Sequence, residues 1–304
     1  MRLSSHYMFQ RSIESMSDAM NTGNNIYNSL SAGRTLLKPS DDPAGASQAI
    51  TLQTALAKMD QYDTARMYAQ DALGQEDTVL TSVSNILSKN LSEKIVAAET
   101  DTYSDADRKA LATELQGIRD SLRDLANSKN SNGRYIFSGY ATATEPFSED
   151  GTYHGADTAL KQTVADSTTI NVGHTGKEIF MSGSEDDIFA ALDNAINVLN
   201  DEDISSADRH EQLKGINSVI LNNIDNLGKI QAEVGTSLQQ LDALASNAAE
   251  QRIQIQSRLE QTVGADPDTW TKLVGQSKMA DFAMTASMAV FQSMQKMSIF
   301  AMLQ

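Results

Sequence analysis

The sequence predicts a mainly α-helical protein whose two chain ends form a long antiparallel helical hairpin, or coiled-coil rod, with a small β-rich domain inserted at its tip. Three observations favour this class. A seven-residue apolar repeat runs from Leu213 to Ile255, which is typical of a helix in a left-handed coiled coil. The chain has only 4 prolines, so long intervals are free of helix breakers. Glycines and β-type residues are concentrated between residues 134 and 183.

The first 30 residues predict an amphipathic helix. Apolar or small residues recur there at alternating spacings of 4 and 3, which places them along one helix face. The members of this seam are Phe9, Ile13, Met16, Met20, Gly23, Tyr27 and Leu30.

A second helix is expected to begin at Pro43, because Asp42 can cap a helix whose first position tolerates a missing N–H. Helical spacing of apolar residues continues to about Ala98. Another helix is predicted to start at Ser104, because Asp107 stands three residues later and completes a capping box.

Residues 134–183 are predicted to form the inserted β-rich domain. Arg134–Phe137 and Thr168–Val172 have the composition of short strands, and glycines punctuate the segment. A segment of about 50 residues is near the lower limit for a self-sustaining core, so we expect it to lean on the helices. We also expect the helices to fold without it.

The clearest repeat predicts a helix of about 50 residues that packs against the helix after Pro43. Its seam consists of apolar residues at a spacing of 7: Leu213, Ile220, Leu227, Val234, Leu241, Ala248 and Ile255. Asp266 and Pro267 are expected to end this helix and to cap the next one.

The last helix, from about Met279, is apolar on more than one side. One heptad seam contains Met279, Ala283, Ala286, Val290, Ser293, Met297 and Phe300, and a second stripe contains Met284, Met288, Phe291 and Met302. Such a helix belongs in a large core, a membrane or an assembly of many chains. A membrane is disfavoured because polar residues interrupt every run of about 18 residues. Periodicity alone is equally consistent with a helix pair that closes one ordinary bundle.

These elements predict three domains. Residues 1–35 with 275–304 form a terminal helical assembly domain, residues 36–133 with 184–274 form a central helical domain, and residues 134–183 form the β-rich insert.

Composition and motifs argue against a catalytic, metal or nucleic-acid-binding site. The net charge is −16 and no basic stripe is visible, so nucleic acid is not an expected partner. The chain has 0 cysteines, which excludes disulfides and thiol chemistry. The 4 histidines are scattered, and no nucleophile elbow, phosphate loop or dinucleotide fingerprint is present. We therefore expect no catalytic residues, no cofactor and no metal.

Several segments resemble the bacterial flagellin superfamily. The amino-terminal signature is carried by Leu30–Arg34 and by Pro39, Ser40, Asp41, Asp42 and Pro43, continuing to Ile50. The segment Asn132–Tyr140, with Gly133, Arg134 and Tyr135, is similar to the same superfamily, as are Glu145–Ser148, Gly173–Lys177 and the ending Ser298–Leu303.

The similarity is to the branch of that superfamily that joins the flagellar hook to the filament. It implies a ring of copies between a hook-associated junction protein and flagellin. It also implies export through the flagellar type III apparatus without a cleavable signal peptide, and a chaperone that holds the carboxyl-terminal segment. The expected location is extracellular, at the hook–filament junction of the flagellum.

The terminal helices are the expected assembly site, with no membrane insertion. The candidate residues are Phe9, Ile13, Met16, Met20, Tyr27, Leu30, Met279, Phe282, Met284, Met288, Val290, Phe291, Met297, Phe300 and Leu303. Flagellin itself shares these helices and is the alternative. A type III translocator would need a clear membrane-spanning segment, and an enzyme would need a catalytic motif, and the sequence shows neither.

Overall fold

The computed structural model describes residues 2–99, 103–181 and 183–302. The helices are α1 (Arg2–Ala32), α2 (Pro43–Asn85), α3 (Ser92–Ala98), α4 (Asp105–Ala126), α5 (Gly176–Phe180), α6 (Ile188–Asn200), α7 (Ser206–Val263) and α8 (Pro267–Met302). A π-helical segment, Ile86–Leu91, continues α2 into α3. Two antiparallel strands, β1 (Lys161–Ala165) and β2 (Thr168–Asn171), lie between α4 and α5. The predicted mainly α class with a small β-containing insertion is therefore confirmed.

The hydropathy of these helices bears on the membrane alternative. Among the described residues, none of the helices combines the length and the apolar character that crossing a lipid bilayer requires.

The chain divides into two compact units. The terminal unit contains the described residues of Met1–Asp60 and Ala248–Gln304, and the central unit contains those of Gln61–Asn247. These borders differ from the predicted ones near residues 35 and 275. The predicted β-rich insert groups with the helices of the central unit. The division into three domains stays a prediction.

The starts of α2 and α8 follow the predicted capping chemistry, since each helix begins with its proline. Asp42 Oδ1 accepts a hydrogen bond from the Ala44 N–H at 3.1 Å. Asp266 Oδ1 accepts one from the Thr269 N–H at 3.1 Å. Each carboxylate therefore satisfies a backbone donor that the first helical turn leaves without an intrahelical partner.

In the terminal unit, the loop after α1 is tied to the turn between α7 and α8. The N–H groups of Thr35 and Leu36 both donate to the Val263 carbonyl, at 3.0 and 3.1 Å. Gly264 follows in the left-handed region with φ +67°, and a Cβ built on it would collide with the Thr35 hydroxyl. Glycine is therefore required here both for the backbone conformation and for the space.

The seam of α7 is buried in the central unit. Its fully buried members are Leu213, Ile220, Leu227, Val234 and Leu241. Buried residues of α2, α3, α4, α6 and the segment between α4 and α6 join the same core. The predicted burial of the α7 seam is confirmed as far as Leu241. The core around it is built by several helices and not by the pair α2 and α7 alone. A hydrogen bond of 2.7 Å from Gln70 Nε2 to Asp242 Oδ1 links those two helices directly.

Helix α4 begins at the predicted capping box and is held to α6. Asp107 N–H donates to Ser104 Oγ at 3.3 Å, and Ser104 N–H donates to Asp107 Oδ2 at 3.1 Å. Further along, the buried Arg119 donates from Nη2 to Asp193 Oδ2 of α6 at 3.1 Å. The predicted start of this helix is confirmed.

The segment between α4 and α6 contains one β-hairpin and many turns. The predicted strand at Thr168–Val172 is confirmed as β2, which pairs with β1. The predicted strand at Arg134–Phe137 is wrong. Asn130 N–H donates to the Arg134 carbonyl at 2.8 Å, and Gly133 has φ +74°, so the chain turns here. Within Arg134–Phe137, Tyr135 forms one isolated antiparallel bridge, to Lys129, and a single bridge is too short to make a strand.

Four phenylalanines join this segment to the helical core. Phe180, which ends α5, lies edge-on to Phe147 with ring centroids 5.3 Å apart and to Phe137 at 6.3 Å. Phe189 of α6 lies 5.0 Å from Phe147 and 5.5 Å from Phe180. Each ring is fully buried. The insert and the helices therefore share one aromatic cluster, which argues against the expectation that the insert is dispensable for the helices.

Candidate assembly surface

Helices α1 and α8 pack as an antiparallel pair in the terminal unit. Near one end of the pair, the rings of Phe9 and Phe291 have centroids 5.5 Å apart. Further along, Gly23 is buried against α8, and a Cβ built on it would lie 4.0 Å from the Ala280 Cβ. Small residues at this contact allow the two helix backbones to approach closely.

A polar contact also joins the two helices. The Tyr27 hydroxyl donates a short hydrogen bond to the Asp281 carboxylate. This hydrogen bond raises the pKa of Tyr27 above its ordinary value of 10.0, because loss of the proton would place two negative charges together. Both groups lie at the surface, so we assign the contact a role in helix register and no large stabilisation.

The burial of the α8 residues shows which side of this helix faces α1. The less exposed positions of α8 are Leu273, Ser277, Ala280, Ser287, Phe291 and Met294, and Met284 lies at the same spacing. The described members of the predicted seam are exposed: Met279, Ala283, Ala286, Val290 and Ser293. The side of α8 that contacts α1 is therefore not this heptad seam. Phe291, assigned to the second stripe, packs within the chain on Phe9.

The predicted seam of α1 is divided between two faces. Phe9, Met16, Gly23 and Leu30, each seven residues apart, are buried or half-buried. Ile13, Met20 and Tyr27 alternate with them and are exposed. The half-buried residues Ser12, Ala19 and Ile26 take the remaining inner positions.

We call the predicted assembly residues that this pairing leaves well exposed the outer residues. They are Ile13, Met20, Tyr27, Met279, Phe282, Met288 and Val290. Met279 is 74% exposed and Phe282 is 76% exposed. Large apolar side chains concentrated on one helix pair are typical of a protein interaction site. Their role in assembly stays a prediction.

Three predicted assembly residues cannot be placed, and two exposed apolar residues of α1 were not predicted. The side chains of Met297 and Phe300, and Leu303 altogether, lie outside the described residues. Tyr7 and Met8 of α1 are exposed apolar residues that the heptad analysis missed. They fall between the heptad positions, and a search for all large apolar residues near the chain end would have included them.

The amino-terminal motif residues have local structural roles. Pro39, Ser40 and Asp41 form the turn before α2, where Lys38 N–H donates to Asp41 Oδ2 at 2.8 Å. Asp42 caps the helix as described above. These residues therefore shape the loop that leads into α2.

The second motif forms the turn after α4. Arg134 N–H donates to Asn130 Oδ1 at 3.0 Å, and Gly133 supplies the left-handed conformation. The Lys129 ammonium lies 4.5 Å from the centroid of the Tyr135 ring, which is a cation–π contact. Within the described residues, no group of three or more His, Asp or Glu side chains is placed to hold a metal ion.

Comparison with known proteins shows which proteins the chain is similar to. Residues 3–142 match the bacterial flagellin N-terminal helical region. Flagellar hook-associated protein 3 of Escherichia coli (strain K12) is 35% identical over 317 aligned positions, which cover 99% of this chain and 99% of that protein.

Two solved structures show the same fold. A flagellar hook-associated protein from Vibrio parahaemolyticus has a TM-score of 0.67 at 22% identity, and the match covers 74% of this chain and 100% of that one. The flagellar junction protein FlgL from Legionella pneumophila has a TM-score of 0.57 at 20% identity, covering 72% of this chain and 100% of that one.

The similarity over the whole chain places it in a class, the structural proteins of the bacterial flagellum, whose members are not known as enzymes. The identity to the Escherichia coli protein over the whole chain then gives the family. The chain belongs to the flagellar hook-associated protein 3 family, also called FlgL.

Proposed function

We propose that the protein forms a ring of copies that joins a hook-side junction protein to the flagellin filament, and that the outer residues of α1 and α8 make the contacts between copies. The observation that carries the proposal is the exposure of Met279 and Phe282 on a helix pair that buries its other side. Burying one such side chain contributes roughly 1.5–3 kcal/mol. Repetition around a ring multiplies this contribution, so contacts that are absent in a single chain can hold an assembly together.

The family relationship supports the position in the flagellum. Relatives are named as hook-associated, and one is named as a junction protein. On this proposal the protein is exported through the flagellar type III apparatus. A chaperone covers the carboxyl-terminal segment before export, because exposed Met and Phe side chains would otherwise drive aggregation.

Flagellin itself is the second candidate. The match of residues 3–142 to the flagellin N-terminal helical region favours it, because the same helices build the filament subunit. The match over 99% of a hook-associated protein favours the junction role instead.

A deletion strain of the source bacterium separates the two candidates. On the junction proposal, electron microscopy shows hooks without filaments, and flagellin accumulates in the medium. If the protein is flagellin, hooks again lack filaments but no flagellin is secreted. Filaments of normal length on the deletion strain would contradict both.

Complementation then tests the outer residues with a matched pair of variants. Met279→Asp places a charge among the outer residues, whereas Met67→Asp places one at a methionine of α2 that is 69% exposed in the central unit. We expect Met67→Asp to restore filaments and Met279→Asp to be secreted without restoring them. Equal restoration by both variants would show that the outer face of α8 is not an assembly surface.

A further inference from the structure

His174 lies between two long helices of the central unit, just before α5. Its ring Nδ1 is 2.9 Å from Glu76 Oε1 of α2, and its ring Nε2 is 3.3 Å from Glu233 Oε2 of α7. Its backbone N–H also donates to Glu76 Oε1 at 2.9 Å. One residue of the insert therefore contacts both helices through charged groups.

The burial of the three side chains differs. The Glu76 side chain is 0% exposed, that of His174 is 11% exposed, and that of Glu233 is 68% exposed. Glu76 Oε2 is buried without a hydrogen-bond partner among the described residues. The buried carboxylate thus depends on His174 for its compensation, because an unpaired buried charge is strongly unfavourable.

Two glutamate carboxylates that face the two ring nitrogens favour the doubly protonated, positively charged form of the ring. An ionised carboxylate only accepts hydrogen bonds, and here each ring nitrogen faces a carboxylate oxygen. Both contacts are hydrogen bonds only when both nitrogens carry a proton, which is the imidazolium form. In the neutral form one nitrogen presents a lone pair to a carboxylate.

We infer that His174 is a pH-responsive clamp, which holds the start of α5 to α2 and α7 while the ring is positively charged and weakens that attachment when the ring loses its proton. The clamp is independent of the proposed function, because it acts inside a single chain.

The charged groups that act on the ring determine the direction of the response. Burial lowers the pKa of His174, but the hydrogen bonds to Glu76 and Glu233 and the charges of Glu76 and Glu178 outweigh burial, so the pKa is raised above its ordinary value of 6.5. These groups come from α2, α7 and α5, and all are acidic. The stabilisation is therefore fully present below about pH 6.5 and is lost as the pH rises through the raised pKa.

The region that the clamp controls is short and well defined. Thr175 caps α5, since its hydroxyl accepts a hydrogen bond from the Glu178 N–H at 3.2 Å. Asn226 of α7 donates to the Glu178 carbonyl at 2.8 Å and so holds the other end of α5. Phe180 then enters the aromatic cluster. Loss of the clamp is expected to open the start of α5 before the rest of the unit.

The test measures both the titration and the opening in purified full-length protein. Nuclear magnetic resonance of the histidine ring protons gives the pKa of His174, and hydrogen exchange gives the protection of the Thr175–Phe180 amides after correction for the intrinsic pH dependence. We expect a pKa above 6.5 and a loss of protection across the same pH range.

Three variants complete the experiment. Glu233→Gln removes an exposed partner, and we expect it to move the loss of protection to lower pH. His174→Gln keeps a donor for Glu76 and is expected to abolish the pH-dependent step. His154→Gln, at an exposed histidine beside Ser148, is the control and is expected to behave as the unaltered protein.

A His174 pKa at or below 6.5 would overturn the inference. So would the same pH profile of exchange in the unaltered protein and in His174→Gln. If His174→Gln does not fold, the comparison with Glu233→Gln decides, and an unchanged profile in that variant would equally overturn the clamp.

Discussion

Replacing Phe180 with Ala tests whether the insert is an integral part of the central core. Phe180 is 1% exposed and contacts the rings of Phe137, Phe147 and Phe189. A buried Phe→Ala substitution costs about 3–5 kcal/mol, and aromatic pairs contribute about 0.5–1.5 kcal/mol beyond their buried area. Three ring contacts are lost together, so we expect a cost near the upper end of the first range. That is a large part of a typical domain stability of about 5–15 kcal/mol.

Urea unfolding of the full-length protein, followed by circular dichroism, measures this loss. Phe282→Ala is the matched control, because it makes the same chemical change at an exposed position of α8. Its free energy of unfolding is expected to change by no more than about 0.5 kcal/mol. A loss below about 1 kcal/mol for Phe180→Ala would refute the view that the cluster connects the insert to the helices.

A deletion extends the same reasoning. Joining Asn132 to Ser184 by a short glycine linker removes three of the four rings and exposes Phe189. We expect the shortened protein to unfold at a lower urea concentration than the full-length chain. An unchanged midpoint would restore the interpretation of the segment as a dispensable insertion.

Two further predictions concern the long helix α7 and the turn that follows it. Leu227→Ala in the buried seam is expected to lower the free energy of unfolding by about 2–5 kcal/mol. Leu221→Ala, at an exposed position of α7, is the control and is expected to lower it by less than about 0.5 kcal/mol. Equal losses in the two variants would contradict the seam assignment. Gly264→Ala is expected to destabilise the terminal unit by more than about 1 kcal/mol, because its φ is +67° and Thr35 occupies the space. Gly228→Ala, in open space within α7, is expected to stabilise by about 0.4–1 kcal/mol instead. Fluorescence of Trp270, the only tryptophan in the sequence, follows unfolding near the turn. A change of the same sign in the free energy of unfolding of both glycine variants would contradict this reasoning.

Features set by neighbouring residues could be predicted from the sequence. The caps at Asp42, Ser104 and Asp266 depend on side chains and backbone groups within a few residues, so their chemistry is independent of the remaining fold. The long helix α7 was predictable because its seven-residue repeat persists over many turns. The resemblance motifs likewise gave the family without any tertiary information.

Features that join distant residues required the structure. Periodicity locates the apolar stripes of α8, but it carries no information about which stripe meets α1. That choice depends on how closely Gly23 lets the two backbones approach and on the contact between Phe9 and Phe291. The aromatic cluster and the clamp of His174 with Glu76 and Glu233 bring together residues far apart in the chain. The sequence by itself therefore determined the helices, their caps and the family, because these follow from local patterns. Only the tertiary structure decided which apolar side chains stay exposed and which charges meet inside the core, because both depend on packing in three dimensions.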